Sequence, residues 1–154
     1  MNALGLFLHH VGYVVPDIEA AMPGFAASLG ATWSGRIYDD PHQRVRVAFL
    51  STRPGDAQIE LVQPASDDSP VLRFLREKGG GFHHVCYEVE DLEMALAGMK
   101  TRKAVIARRP KPAVAFDGRR IAWVVTAEKA LIELLEKTAR PVEPVGAGKA
   151  GRSL

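Results

Sequence analysis

The chain has 154 residues, of which 47% are apolar and 25% are charged, and its formal net charge is +2. This composition predicts one compact domain, or two small modules that share a core. The small charge gives no reason to expect a nucleic-acid partner, and no apolar stretch approaches the roughly 18 to 20 residues that a membrane span needs. The single cysteine, Cys86, excludes an internal disulfide. We therefore expect a cytoplasmic protein without an export signal that acts on a small molecule.

The first half of the chain predicts one helix among β-strands. Alternating, β-rich residues predict a strand over residues 7–15. Asp17 is expected to cap a helix over Ile18–Leu29, which ends at a glycine. Two further strands are predicted over residues 44–50 and 58–62, with a Pro-Gly-Asp turn between them.

A short helix is expected to link the two halves. Ser69 and Pro70 are residue types preferred at the N-cap and the first helical position, and apolar residues follow at helical spacing up to Lys78. Three consecutive glycines then predict the end of this helix.

The second half repeats the order of the first. We expect a strand over 82–89, a helix over 92–102 capped by Asp91, and three strands near 105–107, 120–125 and 131–135. The last strand is ambiguous, because residues 127–137 are mostly good helix formers. Its Ile-Glu-Leu-Leu sequence echoes the Ile-Glu-Leu-Val of the first half, and this echo favours a strand.

Each half is therefore expected to form a βαβββ module, which predicts an α+β fold. The expected division is a first module at 7–64, a linking helix and glycine-rich turn at 65–81, a second module at 82–137 and a flexible tail at 138–154. Residues 1–6 are also expected to be loose, since they lack an apolar period.

An internal repeat supports the two-module interpretation. The sequence HHVGYVVPDIEAA at 9–21 recurs 74 residues later as HHVCYEVEDLEMA, with eight of thirteen positions identical. The segment at 59–62 recurs 73 residues later at 132–135. Each half thus carries a histidine pair near its start and one glutamate near its end, which points to a duplicated site.

Strand alternation selects one histidine from each pair. Successive side chains of a strand lie on opposite faces, so His10 and His84 share the small or polar face that would line a cavity. The same rule places His9 and His83 on the opposite face, as packing or supporting residues. Cys86 shares the cavity face, where a small wall residue is more plausible than a nucleophile.

The two glutamates complete a set of metal-binding residue types. Glu60 and Glu133 each lie between apolar residues of a strand, where an unpaired buried carboxylate would cost several kcal/mol. Taken singly, a strand histidine is more often structural and a strand glutamate more often solvated. At matching positions of a repeat, His10, Glu60, His84 and Glu133 together predict a site for one divalent ion, with Co, Ni, Mn and Zn all acceptable.

Basic residues could steer an anionic substrate, although most are expected to be solvated. They are Arg44, Arg46, Arg108, Arg109, Lys111, Arg119 and Arg120.

The chain resembles the vicinal oxygen chelate superfamily, which includes glyoxalases, bleomycin resistance proteins and dioxygenases. Within it the chain is most similar to methylmalonyl-CoA epimerases. The similar segments are HHVGYVVPDIEAA, VRVAFL, IELVQP, DSPVLRFLREKGGGFHHVCYEVEDLEMAL, and GRRIAW before LIEL. The resemblance implies two βαβββ modules that form a curved mixed sheet around a metal-binding cleft, with His10, Glu60, His84 and Glu133 as ligands.

The resemblance also implies a metal-dependent epimerase that removes a proton next to a thioester carbonyl through a stabilised enolate. Glu133 would be the base and Glu60 the acid on the opposite face, with Glu88 as a weaker choice for the acid. The substrate would be a small molecule such as an acyl-CoA, and the protein would be a homodimer. Two segments depart from these epimerases: the strand over 45–49 lacks an acidic residue, and the turn over 124–129 lacks a His-Pro sequence.

Two alternative functions remain open at this point. One is a glyoxalase I-like lactoylglutathione lyase, in which the same two glutamates act as bases. The other is a binding or resistance protein that keeps the fold without chemistry. A ring-cleaving dioxygenase is least expected, because its iron site has two histidines and one carboxylate.

Overall fold

The computed structural model describes residues 4–138, which form nine strands, three α-helices and one short 3₁₀ helix. The strands are β1 (Phe7–Val14), β2 (Thr32–Trp33), β3 (Tyr38–Asp40), β4 (Val45–Ser51), β5 (Gln58–Pro64), β6 (Gly81–Val89), β7 (Val105–Pro112), β8 (Arg120–Val125) and β9 (Leu131–Glu136). The α-helices are α1 (Ile18–Leu29), α2 (Leu72–Lys78) and α3 (Leu92–Thr101), and the 3₁₀ helix is Val114–Phe116. No α-helix within 4–138 is long and apolar enough to cross a membrane.

All the strands belong to one mixed sheet. Their order is β2-β4-β5-β1-β6-β9-β8-β7, and β3 pairs with β4. The strand β1 runs parallel to β5 and antiparallel to β6, while β6 runs parallel to β9. The two halves of the chain are therefore joined within one chain, through their first strands.

This architecture confirms the predicted α+β class. The second half follows the predicted βαβββ order, whereas the first half has one strand more, because two short strands, β2 and β3, lie between α1 and β4. The expected boundaries at 64, 81 and 137 agree with the element order and stay a prediction. The predicted tail lies almost entirely beyond 138, outside the described residues. Leu4 and Leu6 are not loose, because both pack against the core beneath α3.

Leu131–Glu136, the segment whose sequence is compatible with either a helix or a strand, is a strand, as the repeat indicated. Strand β9 pairs with β6 on one side and with β8 on the other. Leu134 and Leu135 are fully buried there. Strand pairing on both edges and burial of the leucines therefore override the helix propensity of the sequence.

Two of the three predicted helix caps are confirmed. Asp17 accepts a hydrogen bond from the backbone N–H of Ala20 at 2.7 Å, and Asp91 accepts one from Met94 at 2.8 Å. Ser69 does not cap α2: its backbone carbonyl accepts from the N–H of Leu72 in a turn, and α2 begins only after that turn.

The two faces of the sheet have different roles. Helices α1 and α3 pack on the outer face over two apolar clusters, centred on Leu61 in the first half and on Leu134 in the second. Because β4, β5, β8 and β9 alternate, their remaining side chains lie on the inner face. Residues from both halves line a cavity there, so the sheet curves around it.

A duplicated ion pair fastens each long helix to its half of the sheet. The guanidinium of Arg46 lies 3.3 Å from the carboxylate of Glu19 near the start of α1, and Arg120 lies 2.9 Å from Glu93 near the start of α3. Both pairs are partly exposed, so each contributes little stability on its own. Their equivalence shows that the repeat extends to β4 and β8.

Candidate metal centre

The central strands bring a glutamate of the first half close to a histidine of the second. Gly12 of β1 pairs with Glu60 of β5 on one side and with His84 of β6 on the other. Paired residues of neighbouring strands lie on the same face. Glu60 and His84 therefore lie on the inner face, separated only by a residue without a side chain.

A second, equivalent row of paired residues across β1, β6 and β9 brings together the other two, His10 and Glu133. Cys86 of β6 pairs with His10 of β1 and with Glu133 of β9. The two rows are adjacent, because His10 and Gly12 belong to the same strand. All four predicted site residues thus meet on the inner face, as strand alternation predicted.

The donor atoms of these four residues converge on one point. The Nε2 atoms of His10 and His84 are 3.2 Å apart. Oε2 of Glu60 lies 3.3 Å from each of these nitrogens. Oε2 of Glu133 lies 3.2 Å from His10 Nε2 and 3.1 Å from His84 Nε2. The four ligand atoms are all within 4.8 Å of one another, and we call these residues the four-residue cluster.

Burial and the neighbouring charges act in opposite directions on the protonation states of the cluster. His10 is 0% exposed, and none of the four is more than 5% exposed. Burial opposes the charged form of each histidine, but the neighbouring carboxylates outweigh it and raise the pKa of both rings. Burial likewise opposes the ionised glutamates, yet the two histidines hold both carboxyl pKa values below their usual range.

The donor set fits a divalent ion. Donor separations of 3.1–3.3 Å match the roughly 3.0 to 3.4 Å expected between ligands that each lie about 2.1 Å from one ion. Two imidazole nitrogens and two carboxylate oxygens are typical of sites for Co, Ni, Mn or Zn. Without an ion, two protonated rings would direct like charges at each other across 3.2 Å. A 2+ ion replaces those two protons without changing the net charge.

The prediction for His9 and His83 was wrong about the face on which they lie. His9 is an extra residue in β1 where Leu8 and His10 pair with consecutive residues of β6, and His83 is an extra residue in β6 opposite Gly12 and Tyr13. Such β-bulges redirect a side chain. Strict alternation therefore fails at the first histidine of each pair.

As a result, each first histidine supports its neighbour. Nδ1 of His9 lies 2.8 Å from Nδ1 of His10, and Nδ1 of His83 lies 3.0 Å from Nδ1 of His84. Burial, and then the charge of the neighbouring ring, lowers the pKa of His9, and lowers that of His83 to about 4. A neutral outer ring can accept the Nδ1–H of the inner ring, which leaves Nε2 free to bind an ion.

The cavity beside the cluster has a volume of about 160 Å³. Glu60, His84 and Glu133 line it, whereas His10 is fully buried and does not. Most of its walls are apolar: Val45, Val47, Val62, Ala113, Phe116, Ile121, Trp123 and Leu131. The cavity therefore presents two carboxylates to a small space with mostly apolar walls.

Sequence reasoning missed the aromatic residues around the cluster. The ring of Trp123 lies 4.7 Å from that of His84, and the ring of Phe49 lies 5.7 Å from that of His10. Phe49 and Trp123 are separated by 74 residues, the offset of the repeat. Aligning VRVAFL with RRIAWV would have identified them as an equivalent pair.

Residues 9–123 match the family described as the glyoxalase/bleomycin resistance protein/dioxygenase superfamily. The chain belongs to this superfamily. An ethylmalonyl-CoA/methylmalonyl-CoA epimerase of Cereibacter sphaeroides is 36% identical over 118 residues, which are 76% of this chain and 86% of the relative. The mitochondrial methylmalonyl-CoA epimerase of Bos taurus is 38% identical over 97 residues, and the chain spans about half of its length (54%).

A solved superfamily structure agrees with these relatives. The methylmalonyl-CoA epimerase of Mycobacterium tuberculosis superposes with a TM-score of 0.76 and 27% identity, over 92% of this chain and 93% of that one. The predicted resemblance and the predicted enzyme class, an isomerase of the epimerase type, are thereby confirmed.

Cys86 is a packing residue in this superfamily member. Its Sγ atom lies within 4.8 Å of a ring nitrogen of His9 and of His10, a distance at which the three residues could share a metal ion. However, it is fully buried, and burial raises the pKa of its thiol to about 12. Since the thiolate is the reactive and metal-binding form, the thiol is inert at neutral pH.

We expect native Cys86 to react with a thiol reagent at pH 8 at least about 100-fold more slowly than in the unfolded chain, where its pKa returns to roughly 8.5. Absorbance-monitored disulfide exchange with and without guanidinium measures both rates. Equal rates would show that the thiol is accessible and would contradict this assignment.

Proposed function

We propose that this protein is a metal-dependent epimerase that inverts the carbon next to the thioester carbonyl of methylmalonyl-CoA or a closely similar acyl-CoA. The observation that carries this proposal is the convergence of two histidines and two glutamates within 4.8 Å beside an apolar cavity. The names of the epimerase relatives support the substrate class.

One divalent ion would be held by His10, Glu60, His84 and Glu133. Bound there, it would polarise the carbonyl oxygen of the substrate and favour the enolate form. This ligand set accepts Co, Ni, Mn and Zn, so the ion that is bound depends mainly on which of these metals is available to the protein.

The two glutamates are the proposed proton-transfer residues. Epimerisation requires a group that accepts the α-proton on one face of the carbon and a group that returns a proton on the other. Glu133 and Glu60 come from opposite halves of the sheet and both line the cavity. Their lowered pKa values favour the ionised form of both glutamates, which suits Glu133 as the proton acceptor. Glu60 must first take up a proton from solvent before it can return one to the other face of the carbon.

Asp40, the remaining carboxylate that lines the cavity, is less suited to this role. Its two oxygens accept hydrogen bonds from the backbone N–H groups of His42, Gln43 and Val114, at 2.9 to 3.0 Å. These bonds hold the 3₁₀ helix across the inner face. Strand β4 offers no acidic side chain, so Glu60 is the proposed partner of Glu133.

The apolar walls would also contribute to the reaction. Val45, Val47 and Ile121 exclude water around the acyl group, which strengthens electrostatic interactions there and protects the enolate from stray protonation.

The experiment that tests this proposal follows the α-proton of methylmalonyl-CoA in D₂O by NMR, using protein loaded with Co²⁺. We expect deuterium to replace the α-proton in the presence of the protein, with no thioester formed from methylglyoxal and glutathione. Lyase activity without exchange would favour the glyoxalase-like alternative. Neither reaction, from a folded and metal-loaded protein, would favour a binding protein.

We also propose a cytoplasmic homodimer. The presence of a single cysteine fits a reducing compartment and supports the cytoplasmic location. The resemblance to epimerases supports the homodimer. Light scattering of the purified protein should give twice the chain mass of 16.8 kDa.

A further inference from the structure

Arg108 lies two strands away from Glu133, in the same row of paired residues across the sheet. It pairs with Trp123 of β8, which pairs with Glu133 of β9. Irregular pairing on both sides of Arg108 marks bulges in β7, which redirect side chains. Arg108 lines the same cavity as Glu133, so its side chain lies on the substrate side of the sheet.

The charge of Arg108 has no counter-ion among the described residues 4–138. Arg108 is half-buried, and no carboxylate forms an ion pair with it there. Burial and then the nearby positive charge of Arg44 lower its pKa. A half-buried guanidinium next to a second cation is unfavourable unless an anion joins them.

Arg44 adds a second unsatisfied donor. One Nη atom of Arg44 donates to Asp68 at 2.8 Å, but its buried Nε has no partner among the described residues. The backbone of Arg44 also has a φ of 56°, which is uncommon for a residue with a side chain. Arg44 does not itself line the cavity, but its positive charge acts on Arg108, which does.

We propose that Arg108 binds the free carboxylate of the substrate's acyl group and thereby selects thioesters of dicarboxylic acids. This inference rests on the proposed function and names a specificity residue for it. A guanidinium can donate two parallel hydrogen bonds to a carboxylate, which fixes the orientation of the acyl group as well as its charge.

The position of Arg108 favours this carboxylate over the phosphates of CoA. Neighbouring strands are about 4.8 Å apart, so the backbones of Arg108 and Glu133 are separated by roughly 10 Å. The cavity of about 160 Å³ is smaller than the roughly 300 Å³ that a drug-sized ligand needs. It can hold the acyl group, while the long pantetheine arm would carry the phosphates outside.

The test compares Arg108→Gln with Arg109→Gln, a control at an adjacent position of β7 that is exposed and does not line the cavity. Arg108→Gln is expected to lower kcat/KM for methylmalonyl-CoA by about 10- to 100-fold, mainly through KM, because a charge-assisted hydrogen bond to the substrate is lost. Arg109→Gln should stay within about twofold of the parent. Arg108→Lys should recover part of the loss, since it keeps the charge without the planar fork.

Calorimetric titration separates this inference from the proposed function, because it needs no turnover. The probes are methylmalonate, which has the carboxylate but no phosphate, and adenosine 3′,5′-bisphosphate (3′,5′-ADP), which has the adenosine and two phosphates but no acyl group. Arg108→Gln should weaken methylmalonate binding about tenfold and leave 3′,5′-ADP binding unchanged. Unchanged methylmalonate affinity would overturn the inference, and so would a loss confined to 3′,5′-ADP. A parent protein without proton exchange would instead overturn the epimerase function.

Discussion

Replacing Glu133 with glutamine is expected to abolish measurable epimerisation and to prevent stable metal binding. Glutamine keeps the shape of the side chain but removes the charge that lies 3.1 and 3.2 Å from the two imidazole nitrogens. Loss of a general base costs about 10² to 10⁴ in rate. Loss of a direct ligand should weaken metal binding by more than the roughly 10- to 100-fold that removal of a supporting residue costs.

The measurements are metal content after desalting and α-proton exchange in D₂O. Glu128→Gln is a suitable control, because Glu128 is exposed in the turn between β8 and β9. Glu128→Gln should retain metal and activity, whereas Glu60→Gln should behave like Glu133→Gln because the two glutamates occupy equivalent positions. If Glu133→Gln kept both a full equivalent of metal and exchange activity, the assigned role of Glu133 would be wrong.

Replacing Gly12 with alanine is expected to disrupt the cluster from a position that carries no ligand. A Cβ at Gly12 would lie 2.0 Å from Cε1 and 2.6 Å from Nε2 of His84. The imidazole would have to leave its place beside Glu60. Overpacking of this kind typically costs about 1 to 3 kcal/mol of folding free energy, and the displaced Nε2 could no longer take part in metal binding.

Gly24→Ala provides the matched control for this substitution. Gly24 lies in α1, and a Cβ there would have no atom within 4 Å. Alanine should be neutral or slightly stabilising in a helix, by up to about 1 kcal/mol. Thermal unfolding and metal titration of the two variants should therefore diverge. If Gly12→Ala bound the metal with full affinity, the space that glycine leaves for the His84 ring would not be required for metal binding.

Much of the centre could be predicted because it is duplicated. The repeat supplied two histidine pairs and two glutamates, and the period of two in a strand then selected His10 and His84 from those pairs. The same alternation failed at His9 and His83, because a bulge is a property of the pairing between two strands. The sequence of a single strand therefore does not show which of its residues will be left unpaired.

The parts of the cavity that are not duplicated could not be predicted in the same way. Arg108 was one basic residue among seven, and nothing in its sequence context distinguished it from Arg109. Its position in the cavity depends on the register of β7 with β8 and on the bulges that flank it. The 3₁₀ helix Val114–Phe116 crosses the inner face through a hydrogen bond to Asp40, a contact between residues 74 positions apart.

The most direct test of this account is a titration of the purified, metal-free protein with Co²⁺ at neutral pH, followed by calorimetry. We predict one ion bound per chain, with weaker binding at pH 6, because the raised pKa values of His10 and His84 mean that protons compete for both nitrogens. A folded protein that takes up no divalent ion under these conditions would contradict the assignment of His10, Glu60, His84 and Glu133 as a metal centre.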